Sequence, residues 1–226
     1  MKQTLLFAVF VSLIWSMTGC GGKKYTAITL AEEAKLNEKV QVEAYLFDAR
    51  LYRDQKPTSV RLEFFQTDSV IGLAGRGYLG KGALKGKLTA DSIEVYFPTK
   101  NEYLYEAVGD LMGSFDCTGD MPEVSLFDLL GNLPDHVLDT LSGITIILDK
   151  SDELHPQYLV SVAGCPWQMQ LTYAHQENGW RITEFVFSEN GEIILKGKRR
   201  QYKRDATVKR KRFTVPVKNG AVRISL

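Results

Sequence analysis

Val40-Gln41-Val42-Glu43-Ala44-Tyr45-Leu46 alternates apolar with mixed side chains, and the same period of two returns along most of this 226-residue chain. A strand with one face in a core has that period, because successive side chains point to opposite sides. Further runs of this kind cover 60–66, 70–75, 83–89, 92–97, 144–148, 157–162, 168–174, 180–187, 192–202, 207–217 and 221–225. Gly, Pro, Asp, Asn and Ser separate most of them, as hairpin connections require, and Asn178-Gly179 is a plain turn signal. The period changes at Asn101, where Tyr103, Leu104, Ala107, Val108 and Leu111 recur at three- and four-residue spacing and predict an amphipathic helix. Ser125-Leu126-Phe127-Asp128-Leu129-Leu130-Gly131 reads as a short helix stopped by glycine, 135–141 as another, and 26–39 as a helix capped by Thr29. The expected fold is mainly β with a helical insertion at about 101–142: one curved antiparallel sheet or open barrel, in one domain over 26–226.

The first residues follow a different rule. Lys2 is followed by an almost unbroken apolar run from Leu5 to Trp15, then by Ser16-Met17-Thr18-Gly19-Cys20. The run is shorter than the roughly 20 residues a spanning helix needs, and with its charged start it reads as a signal peptide over 1–19. Cysteine directly after Thr-Gly resembles the lipobox of bacterial lipoproteins, although Met17 stands where that family usually has Leu. The resemblance implies cleavage before Cys20, diacylglycerol on its sulfur and an acyl chain such as palmitate on its amine. Two or three such chains anchor a protein stably, since each buried methylene is worth about 0.8 kcal/mol. Gly21-Gly22-Lys23-Lys24 then begins a flexible lipidated tether over 20–25. Gly21 is not the Asp that retains many lipoproteins at the inner membrane, and no acidic cluster follows. By analogy the expected location is the outer membrane, facing the periplasm.

With Cys20 acylated, Cys117 and Cys165 form an even pair, 48 positions apart, in an oxidising compartment. A bridge closing such a loop would contribute about 4 kcal/mol in the chain-entropy account; two free thiols are the alternative. No Cys-x-x-Cys or metal-ligand spacing is present, so no cofactor is expected. Charge is distributed more tellingly than its sum suggests. The whole chain carries 28 basic against 27 acidic side chains, and 44% hydrophobic composition excludes a disordered or polytopic membrane protein. Yet residues 196–212 hold ten basic side chains against Asp205 alone, a local charge of +9.

The segment Gly82-Ala83-Leu84-Lys85-Gly86-Lys87-Leu88-Thr89-Ala90-Asp91-Ser92-Ile93-Glu94-Val95-Tyr96-Phe97, then Lys100-Asn101-Glu102-Tyr103 and Leu126-Phe127-Asp128-Leu129-Leu130-Gly131-Asn132, resembles the LolA/LolB superfamily. More closely it resembles uncharacterised lipoproteins with a LolB-like fold. That family's order of glycine-rich turn, Thr-x-Asp-Ser strand, basic-x-x-Tyr step and Leu-rich helix is matched over nearly the whole mature chain, through degenerate motifs. The resemblance implies a half-open barrel whose apolar concave face, capped by short helices, shelters acyl chains. Candidate lining residues are Val42, Leu46, Leu62, Phe64, Ile93, Val95, Leu104, Val108, Leu126, Leu130, Ile146, Leu171 and Phe185; ordinary core packing is the competing reading. By the same resemblance, Tyr78 and Leu79 on the 75–82 loop are candidates for touching the membrane, or else the incidental tip of a hairpin.

Apolar residues bound the basic stretch, which reads as two strands joined at Asp205-Ala206. This basic hairpin carries Lys198, Arg199, Arg200, Lys203, Arg204, Lys209, Arg210, Lys211 and Arg212 toward solvent. It is expected either to face anionic headgroups or an acidic protein, or to serve as a solvated edge that discourages aggregation. Nucleic acid is not an expected partner of an exported protein. His136, His155 and His175 are scattered and no Gly-x-Ser-x-Gly or His-Glu-x-x-His occurs, so a non-enzymatic role is expected. The leading expectation is a lipoprotein that binds a lipid or a lipoprotein's acyl chain, in lipid or lipoprotein trafficking. The alternative is a tethered structural or adaptor lipoprotein with a filled core and a protein partner.

Overall fold

A computed structural model describes residues 30–53, 56–77, 80–107, 144–149, 152, 154–162, 164–177 and 179–224. They contain a short helix, α1 (Leu30–Asn37), and the strands β1 (Lys39–Arg53), β2 (Lys56–Gln66), β3 (Ile71–Arg76), β4 (Gly82–Leu88), β5 (Ser92–Phe97) and β6 (Glu102–Ala107). After these come β7 (Ile144–Asp149), β8 (Gln157–Val162), β9 (Trp167–Gln176), β10 (Gly179–Glu189), β11 (Glu192–Lys209), a 3-10 turn (Arg210–Phe213) and β12 (Val222–Ile224). The strands join in the order β12-β6-β5-β4-β3-β2-β1-β11-β10-β9-β8-β7. Pairs from β2 to β6 and from β7 to β11 are antiparallel, while β12 lies parallel to β6. The ends of the order, β12 and β7, do not pair, so the sheet is open. The fold is mainly β on one large antiparallel sheet, as the alternation implies.

The chain divides into two compact units, the first from Met1–Leu46, Arg61–Ala107 and Gln201–Leu226, the second from Phe47–Val60 and Val108–Arg200. In the second unit Phe47, Tyr158, Val160, Leu171, Tyr173 and Ile182 are buried. The Tyr158 and Tyr173 rings meet edge to face at 5.5 Å. Burial pushes the Tyr173 phenol well above its ordinary range, with Tyr158 adding to the effect. Phe185 packs edge-on against Phe47 at 5.2 Å and lies opposite Gly197 in the β10–β11 register.

Two sequence expectations are corrected. Residues 102–107 are a strand rather than the first turns of a helix. Tyr103, Leu104 and Ala107 fit helical spacing, but Tyr103-Leu104-Tyr105 fits alternation equally, and aromatic residues favour a pleated surface. The β5–β6 hairpin decides between them: the Lys100 amide donates to the Phe97 carbonyl (3.2 Å), Asn101 takes a φ of 56°, and the Tyr96 hydroxyl donates to Asn101 Oδ1 at 2.8 Å. The basic stretch is likewise no hairpin. β11 runs unbroken for 18 residues through Asp205-Ala206. A two-residue hairpin turn needs positive φ, for which Gly and Asn are suited, and neither occurs between Lys198 and Phe213. Val108, Leu126, Leu130 and the rest of the expected helical insertion lie outside the described residues.

Gly197 yields a direct packing test. A Cβ there would sit 2.5 Å from two Phe185 ring atoms. Gly197→Ala is expected to destabilise the second unit by about 1–3 kcal/mol in urea unfolding, with Phe185→Leu in the same chain recovering part of the loss. An unchanged midpoint would show that the Phe185 ring is not held there.

Candidate functional site

In the first unit the strand register sorts side chains onto two faces with different chemistry. One face carries the cross-strand row Phe64, Leu73, Gly86, Val95, Leu104 and Ile224. Beside it run Leu62, Gly75 and Leu84, and on the other side Ile71, Leu88 and Ile93. Leu84, Val95, Phe97 and Leu104 form its buried centre, with Leu73, Ala83, Ile93 and Ile224 packed against them. Glycine on β3 makes this possible: a Cβ at Gly75 would lie 2.8 Å from Leu84 Cγ. Five of the lining candidates, Leu62, Phe64, Ile93, Val95 and Leu104, thus share one face. Leu62, Val95 and Leu104 are buried; Phe64 and Ile93 are half-buried.

Val42 is buried in the same unit, whereas Leu46 is half-buried next to buried Tyr45, whose ring meets Tyr202 at 5.0 Å. Along β1 the buried positions pass from Val42 to Tyr45, Phe47, Ala49 and Leu51, so strict alternation from Val42 misplaces Leu46. Leu171 and Phe185 pair with one another in the second unit. Ile146 pairs with Val160 in the β7–β8 register. Cys20, Tyr78, Leu79 and Cys117 lie outside the described residues. Cys165 is half-buried between β8 and β9, between Gly164 at φ 73° and Pro166.

The other face of the first unit carries Glu63, Phe65, Gly72, Ala74, Lys85, Lys87, Glu94, Tyr96, Tyr103, Tyr105 and Arg223. The chain after β11 crosses this face as a belt. At its start the Arg210 amide donates to the Glu38 carbonyl (2.8 Å) and the Arg210 side chain to the Glu38 carboxylate (2.9 Å). Phe213 then rests over Gly72, where a Cβ would lie 3.1 Å from both its ring and the Arg212 carbonyl. Lys85 Nζ donates to the Lys211 carbonyl at 2.9 Å, and the Arg212 guanidinium lies over Phe65 at 5.1 Å. Farther on, the Val222 amide donates to the Asn101 carbonyl (3.0 Å), which delivers β12 to the edge of β6. There β12 pairs in parallel, Val222 with Glu102, Arg223 with Tyr103 and Ile224 with Leu104.

Much of the basic stretch is tied to groups of the protein itself, some of them acidic and some neutral. Lys198 pairs with Glu184 at 2.6 Å, which raises the lysine pKa chiefly through the hydrogen bond. Arg200 faces Asp48 at 3.7 Å, Arg199 donates to the Ile182 carbonyl at 2.9 Å, and Lys209 reaches Asn37 Oδ1 at 3.3 Å. Lys196 lies over the Tyr52 ring at 5.4 Å, and its hydrogen bond lowers the Tyr52 pKa. Such exposed pairs contribute little stability, and of these contacts only those to Glu184 and Asp48 offset a charge. Lys203 and Arg204 have no acidic partner among the described residues.

Among the described residues no group of three or more His, Cys, Asp or Glu side chains is placed to hold a metal ion. No described helix is long and apolar enough to cross a membrane. No family model matches the chain, and no curated protein matches it. Among solved structures it is similar to an uncharacterised conserved protein from Thermus thermophilus, at 10% identity and TM-score 0.43, over 85% of this chain and 93% of that one.

The belt supplies its own test. Gly72→Val should lift Phe213 from the sheet and speed hydrogen exchange at the Val222–Ile224 amides, leaving the Val160 amide of the second unit unchanged. Equal exchange at β12 in both proteins would contradict the belt's anchoring at Gly72.

Proposed function

We propose that the chain is a lipoprotein, anchored through Cys20 to the outer membrane on its periplasmic side, whose first unit binds an acyl chain of a lipid or lipoprotein. The LolA/LolB-like motifs point the same way, toward lipid or lipoprotein trafficking without an enzymatic step. The single observation that carries the reading is the gathering of Leu62, Phe64, Ile93, Val95 and Leu104 on one sheet face, by the strand register from β2 to β6. Apolar area kept from water is worth about 25 cal/mol per Å², so a face of this composition suits a methylene chain. Half-buried Phe64, Leu73, Ile93 and Ile224 provide its accessible rim, and buried Leu84, Val95, Phe97 and Leu104 its floor. In the second unit Leu171 and Phe185 are committed to packing instead.

The adaptor reading draws on the same floor, since deep burial of those four side chains also suits a filled core whose function lies on its surface. Under either reading Cys117 and Cys165 are proposed to be bridged. Native mass spectrometry of protein taken from the periplasmic face of the membrane distinguishes the two. The carrier reading expects co-purifying lipid, uptake of added fatty acid, and reduced uptake by Phe64→Glu and Ile93→Glu proteins that remain folded. Absence of both lipid and uptake would leave the adaptor reading standing. The intact mass also reports acylation at Cys20, abolished by Cys20→Ser, and a bridge as the missing thiol hydrogens.

A further inference from the structure

Where the belt crosses β2, β3 and β4, cations outnumber their partners. Glu63 is shared by two guanidinium groups, Arg76 at 3.0 Å and Arg212 at 3.4 Å. Lys85, half-buried beneath the belt, spends one of its three donors on the Lys211 carbonyl and has no carboxylate partner among the described residues. Lys211 docks through its backbone oxygen, which leaves its ammonium group uncommitted to any described carboxylate. Four cations (Arg76, Lys85, Lys211, Arg212) against one carboxylate leave a local charge of +3. The Lys85 pKa is lowered, first by burial and then by Arg212 and Lys211, as expected of a cation held among cations.

A fold can reduce this repulsion by relaxing apart or by binding a counter-ion. Here relaxation is restrained: Phe213 sits over Gly72, Arg212 is held by Glu63 and Phe65, and the Lys85 hydrogen bond ties the sheet to the belt. We infer that Lys85, Lys211 and Arg212 form a binding site for a phosphate-bearing anion. A carboxylate would offset one charge, whereas a phosphate monoester brings about −1.5 to −2 and three strong acceptor oxygens. It matches the free donors of Lys85 and Lys211, with the Arg212 guanidinium alongside. The site lies on the sheet face opposite the proposed acyl-chain surface and does not depend on that reading. It also differs from the proposal that the whole basic stretch faces headgroups, because most of β11 is paired with groups of the protein itself.

The test uses the full chain in neutral detergent at fixed ionic strength, with inorganic phosphate as probe and Lys85 followed by NMR of its side chain. Saturable binding is expected, with a rise in the Lys85 pKa, because the bound anion favours its charged form. Lys211→Gln removes a charge while leaving the belt's backbone hydrogen bond, and should weaken binding about tenfold. Lys203→Gln, outside the cluster, should leave binding unchanged. Because Lys85→Gln also removes the tie to the belt, it is read beside Lys211→Gln rather than alone. Vesicles of phosphatidylcholine with and without phosphatidic acid, mixed in detergent-free buffer with the Cys20→Ser chain so that no acyl anchor holds it, separate the two sources of the anion. Binding that free phosphate displaces assigns the site to a headgroup; phosphate binding without vesicle binding assigns it to a free phosphate. No saturable phosphate binding, or equal loss in Lys203→Gln and Lys211→Gln, would overturn the site whatever the outcome of the fatty-acid experiments.

Discussion

β3 lets both faces of the first unit be approached closely, because two of its residues have no side chain. Gly75 opens one face to Leu84 and Gly72 opens the other to Phe213, each at a separation a Cβ would violate or strain. Antiparallel register between β2 and β4 then repeats the division across neighbouring strands, apolar residues on one side and charged or aromatic ones on the other. The Leu84–Val95–Phe97–Leu104 core and the docking of the belt both depend on this thin strand. A branched residue at either glycine would trade close packing for a displaced neighbour.

The belt explains features that are separate in the sequence. It carries the chain from the end of β11 across the face of β2, β3 and β4, and ends as a parallel strand beside β6. On the way it covers Phe65, which is why β2 buries both Leu62 and Phe65 although they occupy opposite faces. It also concentrates charge. Lys211 and Arg212 arrive over Lys85 and Glu63, forming a cluster in which no single segment is unusual.

Much of the fold was legible from alternation, because a half-buried strand writes its period directly into the chain. Misreadings arose where two patterns fit the same residues. Tyr103, Leu104 and Ala107 satisfied helical spacing, and only the hairpin at Asn101 and the contact of Leu104 with its strand neighbours resolve them as β6. Asp205-Ala206 resembled a turn by composition, but extended pairing costs less there than a turn without a residue suited to positive φ. The gathering of Leu62, Phe64, Ile93, Val95 and Leu104 followed from correct strands, so part of the apolar face was readable, although Leu73, Leu84, Phe97 and Ile224 were not among the residues singled out. The contact of Lys85 with Lys211 was not: the residues are 126 positions apart and no local pattern links them.

The two proposals together assign methylene groups to one side of the first unit and phosphate to the other. The acyl-chain half is the central claim, and methyl NMR of the full chain titrated with lauric acid tests it most directly. The account predicts shifts concentrated at Leu73, Ile93, Leu104 and Ile224, with the Leu171 methyls of the second unit unmoved. Shifts confined to the second unit, or none at saturating fatty acid, would contradict it.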